Sequence, residues 1–189
     1  MGKLVREETG IEGLTVITPK VFIDQRGYFF ESYNYNDFKE IGIDNVFVQD
    51  NQSKSSKGVI RGLHFQKEFP QSKLVRVIVG SVYDVAVDLR KGSPTFGKYF
   101  GVVLSAENKK QFFIPKGFAH GFVVLSDVAE FAYKCDDFYH PNDEGGLIWN
   151  DPDIGIKWPL AEVGGLDNLI FSSKDKLWPT LKELTTSEN

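Results

Sequence analysis

The apolar residues of this chain come in short runs, each cut off within a few positions by Gly, Pro, Asn or Ser. Such a pattern cannot build long helices, and it is the signature of many short strands. Runs compatible with strands occupy residues 14–18, 28–33, 46–51, 59–65, 74–79, 82–89, 97–104, 111–114, 120–125 and 129–133. Gly80-Ser81 separates two of them, and a two-residue loop with Gly first fits a type II′ hairpin. The second of that pair, Val82-Tyr83-Asp84-Val85-Ala86-Val87-Asp88-Leu89, alternates over part of its length, so one of its faces is expected to be buried. Helical signals are thin. Asn36 reads as an N-cap and Gly42 as a stop for one short helix, and residues 176–183 suit a further turn or two. Strands this closely spaced must close or stack to hide their edges. A double-sheet jelly roll or small barrel is therefore the expected fold, with few short helices and no linker to divide it. One domain is expected over residues 1–189.

With 189 residues the chain can bury a substantial core. Its 16 Phe, 7 Tyr and 3 Trp suit pleated, half-buried surfaces, and they supply flat faces for stacking a base or a sugar ring. The formal net charge of -4 argues against a general binder of nucleic acid or of acidic membrane. An anionic ligand must then be held by a few local Arg or Lys residues. The one cysteine, Cys135, excludes an intrachain disulfide. The first ten residues are polar and charged, and no apolar stretch is long enough to span a bilayer. A cytoplasmic protein is expected.

Three histidines stand at 64, 120 and 140. His64 lies in Gly58-Val59-Ile60-Arg61-Gly62-Leu63-His64-Phe65-Gln66. Strict alternation would point Ile60, Gly62 and His64 to one face, and Arg61 and Leu63 to the other. An unpaired Arg in an apolar strand is costly to bury, so Arg61 calls for an anionic partner. His120 follows the sharp turn of Pro115-Lys116-Gly117, which presents it near the start of a strand. His140, before Pro141, reads as a loop residue, Cys135 as an inert thiol, and Trp149, Trp158 and Trp178 as packing residues.

The segment Pro115–Phe122 is similar to the second signature of the cupin superfamily of jelly-roll barrels, whose members usually hold a metal at the barrel mouth. Metal cupins carry two histidines flanking one residue in the first signature, and this chain reads His64-Phe65-Gln66 there. A divalent ion needs three or four convergent N, O or S ligands, and His64 with His120 falls short. The resemblance therefore supports the fold, and neither a metal nor another cofactor is expected.

Seven runs in order carry a narrower resemblance: Asp24–Glu31, Gln49-Asp50-Asn51-Gln52-Ser53, Gly58–Gln66, Lys73-Leu74-Val75-Arg76-Val77, Pro115–Phe122, Tyr133-Lys134-Cys135 and Ser173-Lys174-Asp175. Together they resemble the dTDP-4-dehydrorhamnose 3,5-epimerase family over residues 10 to 178. The resemblance implies epimerisation at C3 and C5 of dTDP-4-dehydro-6-deoxy-D-glucose, on the route to dTDP-L-rhamnose. Both carbons lie alpha to the C4 ketone, so each exchange needs a base, a stabiliser for the enolate oxygen, and an acid on the opposite ring face. By resemblance, His64 is the base, Asp175 its orienting partner, Lys73 the cation near the enolate oxygen and Tyr133 the acid. Asp167 is a rival for the place of Asp175, which alone completes Ser-x-Lys-Asp. The resemblance further implies Arg26 and Arg61 at the diphosphate and substrate, and Glu31, Gln49, Asp50 and Asn51 at the nucleotide. It places His120, Glu144 and Lys174 at the sugar and Tyr139 stacked on thymine. It also implies a homodimer in which Arg26 or Glu31 serves the partner's site. Two other functions are compatible with these residues: an epimerase acting on a single carbon, and a barrel that binds a sugar nucleotide without turning it over.

Overall fold

The computed structural model describes residues 4–186. Its strands are β1 (Val5–Glu8), β2 (Thr15–Thr18), β3 (Phe22–Asp24), β4 (Gly27–Phe29), β5 (Gln49–Ser56), β6 (Ile60–Gln66), β7 (Lys73–Val79), β8 (Ser81–Asp88), β9 (Tyr99–Ser105), β10 (Gln111–Ile114), β11 (Phe118–Val124), β12 (Val128–Cys135) and β13 (Glu144–Gly146). Two antiparallel sheets dominate. One runs β1-β2-β10-β7-β12-β5 and the other β13-β6-β11-β8-β9, while β3 and β4 form a separate hairpin. The expected all-β jelly roll is what forms. No helix among the described residues is long and apolar enough to cross a membrane.

Each sheet contributes its inner face to a shared interior of Val16, Val75, Val77, Phe112 and Phe131 from the first, and Val82, Ala86, Leu104, Phe122 and Val124 from the second. The outer face of the second sheet is covered by the segment after β13, through Leu147, Ile154, Trp158 and Val163 packed on Ile60, Leu63, Val85 and Val87. The outer face of the first sheet receives helix α1 (Tyr35–Glu40), whose Phe38 joins Ile17, Leu74 and Phe113. The covering of the second sheet by the segment after β13 explains why β8 is buried along both faces, where its partial alternation suggested one.

Several local expectations are corrected. Residues 74–79 and 82–89 do not pair as a hairpin: β7 and β8 lie in different sheets, joined through Gly80. Gly80 has φ 75°, and a Cβ there would lie 2.0 Å from the Val128 carbonyl oxygen, so it makes a tight corner between layers. The N-cap of α1 is Asn34, whose side chain accepts from the Asn36 N–H, while Gly42 closes the helix as expected. The C-terminal helix α2 spans Leu181–Thr186, later than residues 176–183. Alternation also fails in β6, where His120 pairs with His64 but Phe122 pairs with Arg61. Two residues of β6, Gly62 and Leu63, therefore oppose Gly121 alone. This bulge brings Arg61 round to the same side as His64 and leaves Ile60 and Leu63 together in the outer cluster. Gly62 and Gly121 permit the close crossing, because a Cβ on Gly62 would meet Gly121 Cα at 2.6 Å.

Phe112 has no exposed surface and packs against Phe100 in the interior. Phe112→Ala is expected to lower unfolding free energy by about 3–5 kcal/mol, the cost of a large buried aromatic with its cavity. Urea denaturation with an unchanged m-value will measure it.

Candidate active site

A cavity of about 540 Å³ opens at one end of the interior. The bulged β6 supplies Arg61 and His64, β11 supplies His120, β7 opens with Lys73, β12 places Tyr133, and β5 places Asn51. Lys174 and Asp175 reach the rim from the loop before α2. His64 and His120 are direct cross-strand partners on one sheet, and Tyr133 and Asn51 are partners on the other. The histidines and the tyrosine thus project from opposite walls.

His64 Nε2 lies 2.6 Å from Asp175 Oδ1. Burial works to raise the Asp175 carboxyl, but the hydrogen bond and charge of His64, helped by Ser172 and Trp178, outweigh it and hold it below the usual carboxylate range. An ionised Asp175 only accepts, so Nε2 carries the proton and donates, which leaves Nδ1 with its lone pair. The rival Asp167 is exposed on a short 3₁₀ turn (Leu166–Asn168). Asp175 is the partner.

On the facing wall, burial pushes the Tyr133 phenol above its ordinary value, against the lowering influence of Arg61. The phenol therefore keeps its proton near neutrality, as a proton donor must. Lys73 Nζ stands 6.0 Å from the centre of the Tyr133 ring. Burial pulls the Lys73 ammonium down, and the nearby anionic groups, Asp84 and Glu144 among them, work the other way.

Asp84 is a site residue that sequence reasoning missed. It is fully buried on the inner face of β8, and both carboxyl oxygens lie 3.0 Å from His120 Nε2. Desolvation pushes Asp84 up and His120 down, while their mutual attraction and hydrogen bond work the other way. A signal was available: an acidic residue at an inward position of an otherwise apolar strand demands a polar partner.

The remaining candidates divide. Gln49 donates to Asn51 Oδ1 and accepts from the Tyr139 backbone N–H at 2.9 Å, so it ties the nucleotide-side candidates together. Glu144 on β13 accepts from the Tyr139 hydroxyl and from Lys174. Arg61 donates to Ser55 Oγ at 3.1 Å. Gln49, Tyr139 and Glu144 adjoin the cavity lining through these bonds without forming part of it, and three further candidates lie away from it. Asp50 points to the opposite face of β5 and pairs with Lys134 at 2.7 Å. Arg26 is 85% exposed and binds Asp24 within the β3–β4 hairpin. Glu31 lies beside α1 and accepts from Asn34. Cys135 is fully buried, and burial pushes its thiol up to about 11, which fits an inert role. Among the described residues no three His, Cys, Asp or Glu side chains converge as metal ligands.

Fold and cavity together define a cupin-type barrel whose mouth carries a His–Asp pair facing a tyrosine. Residues 8–183 match the family described as dTDP-4-dehydrorhamnose 3,5-epimerase. The chain is 55% identical to the dTDP-4-dehydrorhamnose 3,5-epimerase of Methanothermobacter thermautotrophicus, over 93% of this chain and 94% of that protein. It is also 55% identical to the enzyme of that name from Salmonella typhimurium, over 96% and 97% respectively. Among solved structures it is similar to the dTDP-6-deoxy-D-glucose-3,5-epimerase of Legionella pneumophila in complex with dTDP-4-keto-L-rhamnose. That likeness has a TM-score of 0.91 and 49% identity, and covers 97% of this chain and 96% of the other. The chain belongs to the dTDP-4-dehydrorhamnose 3,5-epimerase family.

A second depressed carboxyl, Asp88, sits at the end of β8. Burial opposes its ionisation, yet Arg90, Ser93 and Thr95 hydrogen-bond it and hold it far below the usual range. Such a group stabilises the fold fully above its unfolded value of about 4, and the contribution is lost as pH falls through the lower native value. Asp88→Asn is expected to lower the urea midpoint at pH 7, and to weaken the loss of stability between about pH 4 and pH 2. Midpoints measured across that range will check both.

Proposed function

We propose that this chain converts dTDP-4-dehydro-6-deoxy-D-glucose to dTDP-4-dehydro-L-rhamnose by epimerisation at C3 and C5, within dTDP-L-rhamnose biosynthesis. The observation that carries the mechanism is the opposition of His64, backed by Asp175 at 2.6 Å, to Tyr133 on the facing sheet. His64 Nδ1 takes the proton from the carbon alpha to the C4 ketone. The C–H electron pair moves into the enolate, whose negative charge gathers on the C4 oxygen. Asp175 stabilises the resulting imidazolium, as an orienting carboxylate does for a base. Lys73 supplies positive charge to the enolate oxygen. Tyr133 then gives its proton to the opposite face of the carbon, which inverts it. His64 releases its proton to solvent and the Tyr133 phenolate regains one, so the substrate's formula is unchanged.

Binding follows the same map. Arg61 suits the diphosphate through planar, charged hydrogen bonds, and Asn51 and Gln49 suit the nucleotide. Tyr139, half exposed at the rim, stacks on thymine. His120, Glu144 and Lys174 hold the sugar.

These roles separate in deuterated water. His64→Ala is expected to lose activity by about 10²-fold or more, and to lose hydrogen exchange at C3 and C5 with it. Tyr133→Phe is expected to keep exchange at an alpha carbon while inversion fails. Wild-type inversion in folded Tyr133→Phe would remove Tyr133 as the acid, and product inverted at one carbon by the unaltered protein would make it a single-carbon epimerase.

We further infer a homodimer. The β3–β4 hairpin carries Phe22, Ile23, Tyr28 and Phe29 on exposed surface, together with the otherwise remote Arg26. Pairing would cover those side chains and deliver Arg26 or Glu31 to the partner's cavity. Sedimentation at micromolar concentration is expected to give twice the chain mass, and Arg26→Ala to weaken substrate binding. A monomer would overturn this arrangement.

A further inference from the structure

Beside the catalytic pair lies a tryptophan whose surroundings exceed what packing alone requires. Gly146 on β13 is the direct cross-strand partner of His64. A Cβ on Gly146 would lie 2.3 Å from the Trp178 ring, so the absence of a side chain there makes the slot that the indole fills. The indole presents edge to face against the imidazole, with centroids 6.0 Å apart and planes at 69°. Lys174 Nζ lies 5.3 Å from the indole centroid and draws on its π face. The chain beyond is fastened, since the Ile148 N–H donates to the Pro179 carbonyl at 2.9 Å. The turn that carries the indole also carries Asp175, and it is closed by the Leu177 N–H on the Lys174 carbonyl and the Asp175 N–H on Ser172 Oγ.

We propose that Trp178 is a positioning residue for the reaction, holding the His64 imidazole in the one rotamer that meets Asp175. This rests on His64 being the base. The physical need is plain. The His64 side chain is 31% exposed, and its single hydrogen bond fixes one end of a ring that can still swing about two torsions. A rigid indole packed edge to face against the ring removes that freedom. The indole N–H is buried without a formed hydrogen bond, and it adds to the pull that keeps Asp175 ionised. Base and carboxylate are thereby set by one short turn, residues 174 to 178, clamped onto the edge of the second sheet.

The experiment compares Trp178→Ala, Trp178→Phe and Gly146→Ala with His64→Ala and Asp175→Asn, in the full chain. Trp178→Ala is expected to lower kcat by about tenfold or more with KM little changed, the scale of a misplaced catalytic group. Trp178→Phe, which keeps a ring in the slot, should recover most of the loss. Gly146→Ala keeps the indole but displaces it, and should repeat the loss even if Trp178→Ala fails to fold. In the Asp175→Asn background Trp178→Ala should add little, because both act through the same imidazole. The downfield proton resonance of the His64–Asp175 hydrogen bond should be sharp in the unaltered protein and broadened or lost in Trp178→Ala. Turnover within about twofold of the unaltered protein in folded Trp178→Ala and Gly146→Ala, or full additivity with Asp175→Asn, would overturn the proposal. Wild-type turnover in His64→Ala would instead overturn the base assignment on which it stands.

Discussion

Phe122 on β11 and Phe131 on β12 stack with centroids 4.3 Å apart and planes at 21°, across the space between the two sheets. Both rings are buried, and both line the floor of the cavity. His120 stacks on the far side of the same aromatic group, 6.1 Å from Phe131, and Tyr133 lies 6.0 Å from it. The separation of the cavity walls is thus fixed by incompressible aromatic packing. A smaller pair would let the walls approach, and a larger one would hold His64 and Tyr133 further apart.

The polar groups above that floor are arranged by how costly each is to bury. Asp84 is fully buried and is satisfied by His120. Lys73, half-buried, lines the same cavity. His64 and Lys174 lie at the rim, where water still reaches them. Each buried carboxyl thus has a hydrogen-bonding partner, Asp84 in His120 and Asp175 in His64, as desolvation demands.

Much of this was legible in the residues because strand runs and site motifs are local. The run 111–114 matches β10 end to end, and the run 74–79 matches β7 from its second residue onward. What escaped is non-local. Gly80 looks the same whether it turns a hairpin or a corner between sheets, and only the partners of β7 and β8 decide it. Asn34 and Asn36 are both good caps, and the choice depends on where Phe38 must point. The short strands β1, β3, β4 and β13 carry too few apolar residues to announce themselves, or merge with a neighbouring run. Asp84 was hidden in a pattern read for its hydrophobic residues, although its acidity was the informative part. Trp178 packs as its sequence reading expected, but a sequence does not show that Gly146 lies beneath it.

The bulge in β6 has a meaning for how such a strand can change. An extended segment addresses its two sides by parity, so residues 61 and 64, an odd number apart, belong by default to opposite sides. One extra residue at Gly62–Leu63 resets the count and lets Arg61 and His64 share a cavity. The strand behaves as two readers in opposite phase, joined at a switch one residue long. Substitutions on either side of that switch change a single contact. Flattening the bulge with every residue kept would exchange the inner and outer alphabets of everything beyond, offering Leu63 to the cavity and His64 to the outer cluster. In this barrel, the spacing between the two residues is as much a part of the catalytic information as their identity.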